Sequence, residues 1–248
     1  MLQTRNLTRR FAGLTAVGGV DLDVAAGEIF GVIGPNGAGK TTFFNLLSGV
    51  FPCTAGEILF KGQPIHRLPP HRIARLGIGR TFQIVRPFGD LSVIENVLAG
   101  LGARFCTGVL PALGSHHRKR HRDAARALLA RTALAPYEAE IARNLPLGLL
   151  RRLEIARALG LQPDLLLLDE SFSGLSHKEA ASLVELVREL RRDGMTILLI
   201  EHNMQITMQL CDRLAVLDRG EKIAEGTPEE IRRNKRVIEA YLGQEAHA

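Results

Sequence analysis

Short apolar runs are spaced along the chain, and each is bounded by glycine or charged residues. They occupy residues 28–33, 165–168 and 195–200, and their short lengths favour buried strands over helices. The second run consists of consecutive leucines, which is typical of a strand covered on both faces of a parallel sheet. Residues 15–24 instead alternate roughly with period two, which predicts an earlier strand that is buried on one side.

Helices are predicted between these strands, over 42–47, 70–76, most of 92–160 and 177–192. Capping-box spacings mark three helix starts, at Ser92, Ser176 and Thr227. Residues 213–218 and 221–224 predict a hairpin near the C-terminus. Strands that alternate with helices in this way indicate an α/β fold.

Length, charge and cysteine usage narrow the class of protein. The 248 residues suffice for one large domain or two small ones, and the net charge of +6 suits an anionic partner only weakly. Cys53, Cys106 and Cys211 are widely spaced, which predicts reduced thiols rather than a disulfide framework or a zinc site. No apolar run is long enough to cross a bilayer and the N-terminus lacks a signal-peptide core, so we expect a cytoplasmic protein.

A glycine-rich segment lies between the first buried strand and the helix that follows. It matches the pattern G-x-x-x-x-G-K-[ST], in which glycines let backbone N–H groups approach an anion closely. The lysine adds a charge for the β- and γ-phosphates, and the hydroxyl after it can bind Mg²⁺. The candidate nucleotide-binding residues are Gly34, Pro35, Asn36, Gly37, Ala38, Gly39, Lys40, Thr41 and Thr42.

Acidic and titratable residues follow two of the predicted strands. Asp169 and Glu170 end the leucine run, at the sheet edge where parallel α/β folds bind ligands. Burial of an aspartate is costly unless the carboxylate is paired or bound to a cation, and Mg²⁺ at the phosphate loop would be such a cation. His202 follows the strand at 195–200 and is a candidate γ-phosphate sensor. Phe11, in a polar stretch, is either core or a ring that stacks on adenine.

Residues 116–122 are basic or titratable without interruption. The simpler interpretation is a solvated loop and helix start. The alternative is contact with phospholipid headgroups or nucleic-acid phosphates.

Along nearly the whole chain, the order of these features resembles that in the ATP-binding subunit of ABC transporters. Phosphate loop, Gln83, a helical stretch, Asp169-Glu170 and His202 follow one another as in that family. The resemblance implies a P-loop NTPase of ABC type: a RecA-like, mostly parallel sheet core, an N-terminal antiparallel β subdomain and an inserted α-helical subdomain. It also implies a single domain over 1–248, made of a catalytic core (1–85 and 160–225), a helical subdomain (86–159) and a C-terminal helical tail (226–248).

The resemblance also assigns roles to individual residues. Lys40 and Thr41 match the first Walker motif and Asp169 the second, and Glu170 matches the base that polarises the attacking water. Lys40 and His202, the switch histidine, complete the catalytic set. Thr41, Gln83 and Asp169 match the Mg²⁺ site, and Phe11 matches the adenine-stacking aromatic. ATP and Mg²⁺ are therefore the expected cofactors.

The family's signature Leu-Ser-Gly-Gly-Gln falls on Leu145, Pro146, Leu147, Gly148 and Leu149. In the family two ATPases dimerise head to tail, and the signature of one closes on ATP held by the other. Pro146 has neither the hydroxyl that caps the helix nor an N–H. The resemblance therefore predicts that this chain's own phosphate loop is complete and that the half-site it lends to its partner is weak.

Three stretches, 9–17, 79–88 and 237–243, are most similar to the ATPases of branched-chain amino-acid importers. Lipopolysaccharide-export ATPases share the last stretch, so an ATPase of that type stays an alternative, as does a weakly hydrolysing regulatory subunit. The resemblance implies a peripheral protein on the cytoplasmic face of the inner membrane. Its expected partners are permease subunits, a second ATPase subunit (a paralogue or itself) and, indirectly, a periplasmic substrate-binding protein. No nucleic acid is expected, because chromosome and repair relatives carry long coiled coils where only a short helical stretch stands here.

Overall fold

The computed structural model describes residues 1–105 and 115–245. The strands are β1 (Leu2–Phe11), β2 (Leu14–Val24), β3 (Ile29–Ile33), β4 (Ala55–Phe60), β5 (Gln63–Pro64), β6 (Ile78–Arg80), β7 (Leu165–Asp169), β8 (Thr196–Ile200), β9 (Arg213–Asp218) and β10 (Glu221–Gly226). The helices are α1 (Lys40–Leu47), α2 (Pro70–Leu76), α3 (Val93–Phe105), α4 (Ser115–Arg131), α5 (Leu147–Gly160), α6 (His177–Arg192), α7 (Met204–Leu210), α8 (Pro228–Arg233) and α9 (Lys235–Glu245). Short 3₁₀ turns cover Ala135–Tyr137 and Ala142–Asn144.

Two sheets form the body of the molecule. The larger has the order β10-β9-β3-β8-β7-β6, and its pairs are parallel except for β10 against β9. The smaller has the order β2-β1-β4-β5 and is antiparallel. A mostly parallel core beside an N-terminal antiparallel sheet confirms the predicted fold class.

The central strands are buried on both faces, as the leucine run predicts. Leu165 and Leu167 lie in the apolar cluster between the two sheets, whereas Leu166 and Leu168 lie in the cluster under α5 and α6. Successive side chains of a strand point to opposite faces, so a continuous apolar run fills both layers at once.

Helices α3, α4 and α5 pack on one another around a third apolar cluster, which includes Val97, Leu129 and Leu153. This cluster lies within the predicted helical stretch; the exact division into subdomains stays a prediction. The basic run falls at the start of α4, where the side chains of 116–118 lie outside the described residues, as does Cys106. Its proposed contact with phosphates also stays a prediction.

The helix after the phosphate loop begins at Lys40, two residues before the predicted start, and that prediction was wrong. Gly39 has a φ of 97°, a left-handed conformation that turns the chain directly into the helix. Lys40 and Thr41 therefore lie in the first turn of α1. Within the described ranges, no helix is both long and apolar enough to cross a membrane.

Candidate active site

The phosphate loop connects β3 to α1 and depends on two glycines that allow close backbone approach. A Cβ on Gly34 would lie 2.0 Å from the carbonyl oxygen of Leu217, and one on Gly39 would lie 2.2 Å from that of Ala16. Both glycines also have positive φ, of 151° and 97°. No other residue fits at either position without movement of the backbone.

Lys40 is folded back over its own loop. Its Nζ donates to the carbonyl oxygens of Gly34 at 2.8 Å and Pro35 at 2.9 Å, and the residue is only 5% exposed. Burial lowers the pKa of Lys40, and the nearby Glu170 opposes that effect. The ammonium group is thus held within the loop. There a bound phosphate can replace the two carbonyl oxygens as the hydrogen-bond acceptor of Lys40.

A cleft of about 730 Å³ is lined by most of the predicted nucleotide-binding residues, but not by Gly34, Pro35 or Asp169. Its lining includes Phe11, Asn36, Gly37, Ala38, Gly39, Lys40, Thr41, Thr42, Gln83, Glu170 and His202. Phe11 is half-buried: its ring meets Phe51 edge-on at 5.5 Å between centroids, and the Arg9 guanidinium lies 4.4 Å from its centroid. Phe11 therefore has packing partners and still contributes to the wall of the cleft.

Glu170 sits where β7 ends, and both of its carboxylate oxygens have partners. Gln83 Nε2 donates to Oε2 at 2.8 Å, and His202 Nε2 lies 2.6 Å from Oε1. The structure thus brings together three residues that are far apart in sequence and that the family resemblance singles out. Their catalytic roles stay predictions.

Asp169 is buried beside Arg80, which donates to its Oδ2 at 2.7 Å. Burial raises the pKa of Asp169, and the bond from Arg80 opposes the rise. Asp169, Thr41 and Gln83 line a second cavity, of about 370 Å³. Over the residues described, no group of three His, Cys, Asp or Glu side chains forms a metal site. If Mg²⁺ binds here, Thr41, Gln83 and Asp169 are the side chains that would hold it, together with phosphate oxygens, as is usual for this ion.

The signature segment lies at the start of α5. Pro146 is the N-cap residue, and no side-chain bond caps this helix start among the described residues. The carbonyl oxygen of Pro146 accepts from the N–H groups of Leu149 and Leu150, both at 3.0 Å. Gly148 packs so closely on the first turn of α6 that a Cβ there would lie 2.4 Å from Glu179 Oε1. None of the five signature residues is among those that line the described part of the 730 Å³ cleft.

Sequence reasoning missed three buried charged residues around this site, namely Arg80, Glu154 and Glu201. Arg80 belongs to the stretch 79–88, but nothing in the sequence pairs it with Asp169. Glu154 lines the 370 Å³ cavity, and Glu201 accepts from the Phe172 N–H at 2.9 Å. Burial raises the pKa of each glutamate to about 7. The one sequence signal is that a buried Asp169 needs a partner, and this signal does not identify Arg80.

Comparison with known proteins decides the family. The family model described as "ABC transporter" matches residues 17–173. The chain belongs to the ABC transporter family. A second family model, "Branched-chain amino acid ATP-binding cassette transporter", matches residues 221–247 of the chain.

Curated relatives and solved structures agree with the ABC assignment. The chain is 45% identical over 250 residues to the "High-affinity branched-chain amino acid transport ATP-binding protein LivG" of Escherichia coli (strain K12), covering 98% of both chains. It is 36% identical over 244 residues to the "Lipopolysaccharide export system ATP-binding protein LptB" of the same organism, again covering 98% of each. An ATP-binding cassette of an ABC transporter, solved in its ADP conformation, superposes with a TM-score of 0.86 at 30% identity, covering 98% of both chains. The protein is thus an ABC-type ATPase that binds nucleotide.

Proposed function

We propose that the chain is the ATP-hydrolysing motor subunit of an ABC importer for branched-chain or other hydrophobic amino acids. One observation supports the hydrolytic function: the Glu170 carboxylate is hydrogen-bonded to Gln83 and His202 at the wall of the phosphate-loop cleft. The substrate class is supported by the 45% identity to LivG and by the match of residues 221–247.

The chemistry is in-line attack of water on the γ-phosphate. The loop N–H groups and Lys40 bind the phosphate oxygens, and Phe11 stacks on adenine. Thr41, Gln83 and Asp169 would hold Mg²⁺, which offsets phosphate charge when bound. Glu170 positions the water and accepts its proton, and His202 contacts the γ-phosphate.

A second ATPase subunit, identical or paralogous, completes each site. Two chains pair head to tail, so that residues 145–149 of one face the ATP of the other. The core, made of 1–85 and 160–225, binds nucleotide, while the helical part (86–159) carries this signature and the tail (226–248) follows. In a heterodimer, one site would be strong and one weak, because Pro146 lacks the serine hydroxyl.

The proposed partners on which the ATPase acts are membrane permease subunits. Phe82, Ile84 and Phe88 are exposed next to Gln83, which suits an apolar contact with a permease helix. The proposed location is the cytoplasmic face of the inner membrane, where a periplasmic binding protein would act on the chain only through the permease.

A regulatory subunit with little hydrolysis is the second candidate, and the uncapped start of α5 at Pro146 is the observation that favours it. The intact set of Lys40, Glu170 and His202 opposes it.

Co-purification from native membranes, followed by phosphate-release assays of the isolated complex, tests the proposal. We expect an amino-acid permease to co-purify and turnover to rise with binding protein loaded with a branched-chain amino acid. A Lys40→Ala complex is the control for contaminating ATPases. Absence of turnover in the whole complex would favour the regulatory subunit, and a lipopolysaccharide permease in the complex would contradict the amino-acid assignment.

A further inference from the structure

Arg80, the last residue of β6, makes hydrogen bonds through both terminal nitrogens, whereas its buried Nε has no partner within the described residues. Its Nη1 donates to three acceptors in the second half of α1 and the residue after it: Phe44 O at 3.3 Å, Asn45 Oδ1 at 2.8 Å and Ser48 Oγ at 2.6 Å. Its Nη2 donates to Asp169 Oδ2 at 2.7 Å. The Arg80 and Asp169 side chains are only 8% and 2% exposed, so this ion pair is shielded from solvent.

The two oxygens of Asp169 are in different situations. Oδ2 accepts from Arg80, whereas Oδ1 is buried and lacks a hydrogen-bond partner within the part of the chain that the structure describes. A buried carboxylate oxygen without a donor is costly, so its presence calls for a ligand. The adjacent 370 Å³ cavity is lined by Asp169, Thr41 and Gln83, but also by Arg80, Arg86 and Arg157. A cation at Oδ1 would therefore bind on the Thr41 side, with phosphate oxygens as further ligands.

We propose that Arg80 is a positioning residue that fixes the Asp169 side chain through Oδ2 and so leaves Oδ1 available to a divalent cation. This inference rests on the magnesium site of the proposed function. Thr81, the next residue, accepts from the Asp169 backbone N–H at 3.1 Å. Arg80 thus orients the carboxylate while Thr81 holds its main chain.

Arginine is suited to this task because its planar fork donates in two directions at once. Nη1 donates to α1, the helix that follows the phosphate loop, and Nη2 donates to Asp169 at the end of β7. The guanidinium carbon also lies 5.1 Å from the ring centroid of Phe82, the residue before Gln83. Arg80 therefore links Asp169, α1 and the Gln83 segment. Lysine keeps the charge but cannot hold both sides in this geometry.

Binding of a fluorescent ADP analogue to the full chain, in EDTA and over a titration of Mg²⁺, tests this role without relying on turnover. For Arg80→Gln we expect unchanged binding in EDTA, and an increase of about 10–100-fold in the Mg²⁺ concentration needed for half of the magnesium effect, because loss of a partner of a metal ligand typically weakens metal binding by that factor. Arg80→Lys should fall in between. Electron paramagnetic resonance of Mn²⁺ with ADP should show the same order of affinities.

Arg213→Gln is the matched control. Arg213 also donates to carboxylates, those of Glu28 and Glu225, and lies 5.1 Å from a phenylalanine ring centroid, yet it does not touch Asp169. Wild-type Mg²⁺ dependence in Arg80→Gln, or an equal shift in Arg213→Gln, would overturn the proposal. If Arg80→Gln does not fold, Asn45→Ala/Ser48→Ala removes the two side-chain acceptors of Arg80 at α1 and leaves only the Phe44 carbonyl, and an unchanged Mg²⁺ titration there overturns it. A wild-type protein that ignores Mg²⁺ would instead contradict the magnesium site itself.

Discussion

Glu170 adopts a backbone conformation that few residues other than glycine adopt. Its φ is 48°, and its N–H donates to the carbonyl oxygen of Ile200 at 2.9 Å. Such strain costs about 1–3 kcal/mol and persists only where the surroundings fix it. Here Gln83 and His202 fix the side chain, and the bond to β8 fixes the backbone. The strained turn delivers the carboxylate to the cleft rather than to the core.

Replacement of Glu170 by glutamine should separate binding from chemistry. The amide keeps the size of the side chain but cannot accept a proton from water. ATP hydrolysis by the assembled complex should therefore fall by about 10²–10⁴-fold, the usual contribution of a general base, whereas nucleotide binding by the same preparation should persist. Equal effects of Glu170→Gln and Pro146→Ser on turnover would contradict the assignment of Glu170 as the base.

Glu201 predicts a pH dependence of stability in the protein without nucleotide. Burial, with help from the charge of Glu170, raises the pKa of Glu201 to about 7, above its ordinary value of 4.5. The folded state therefore binds a proton that the unfolded state has lost, and stability falls as pH rises through this window. Glu201→Gln keeps an acceptor for the Phe172 N–H but removes the titration. As pH rises from about 5 to about 8, the free energy of unfolding of the variant should increase relative to that of wild type by on the order of 1–3 kcal/mol.

Denaturant unfolding of both proteins across that pH range measures the gain. Glu179→Gln is the control, since bonds from Ser176 lower the pKa of Glu179 and its replacement should bring no gain at high pH. A Glu201→Gln curve parallel to wild type would show that Glu201 does not titrate in this window.

Sequence position alone located the phosphate loop, Asp169-Glu170 and His202, because each follows a recognisable strand or motif. The pairing of Arg80 with Asp169 was out of reach, since it depends on β6 lying beside β7, with Arg80 opposite Leu167. The same holds for Glu201, whose burial is set by neighbouring strands and not by its local pattern.

At the scale of elements, two helices begin after a proline in nearly the same conformation. Pro146 precedes α5 with φ −64° and ψ 158°, and Pro69 precedes α2 with φ −71° and ψ 157°. Neither helix start has a side-chain cap among the described residues. By contrast, Ser176 and Thr227 form complete capping boxes, as their sequences predict. The chain thus offers its own matched pair for testing the signature position.

Serine at either proline should change stability to a similar and small extent. A new cap contributes about 0.5–2 kcal/mol, and loss of the proline constraint offsets about 0.4–1 kcal/mol of it. Only Pro146→Ser should also alter ATP hydrolysis in the assembled complex, raising it about two- to tenfold, the effect of one added hydrogen bond of about 0.5–1.5 kcal/mol. Unfolding curves and phosphate release of both variants check this. A similar rise with Pro69→Ser would remove the special role of residue 146.

Element boundaries were predictable wherever a side chain marks them. The capping boxes fixed the starts of α6 and α8, whereas α1 began earlier than predicted because a left-handed glycine sets its start. The approach of Gly148 to Glu179, a member of the α6 capping box, likewise could not be foreseen, since it joins two helix starts that only the fold brings together.

At the scale of the whole molecule, α5 holds the segment on both sides of Gln83, from Phe82 to Arg86. Arg151 donates to the carbonyl oxygen of Phe82 at 3.2 Å, and Arg157 donates to that of Arg86 at 2.8 Å. Glu154 accepts from the Arg86 N–H at 3.4 Å. These three side chains recur one turn apart along the signature helix. A displacement of that segment by a permease would therefore be transmitted to the helix that, in the proposed dimer, meets the partner's ATP.

Ile84 offers a direct test of this transmission path. Its side chain is 66% exposed, while the backbone around it is tied to α5. Ile84→Asp should weaken association with the permease at least tenfold, about the loss expected when a central apolar contact is replaced by a desolvated charge. Nucleotide binding in EDTA and unfolding of the isolated chain should not change. Leu76→Asp, at a 37% exposed leucine that ends α2, is the control and should associate normally. Pull-down with the permease measures both variants. Loss of association with Leu76→Asp, or its retention with Ile84→Asp, would place the permease contact elsewhere on the molecule.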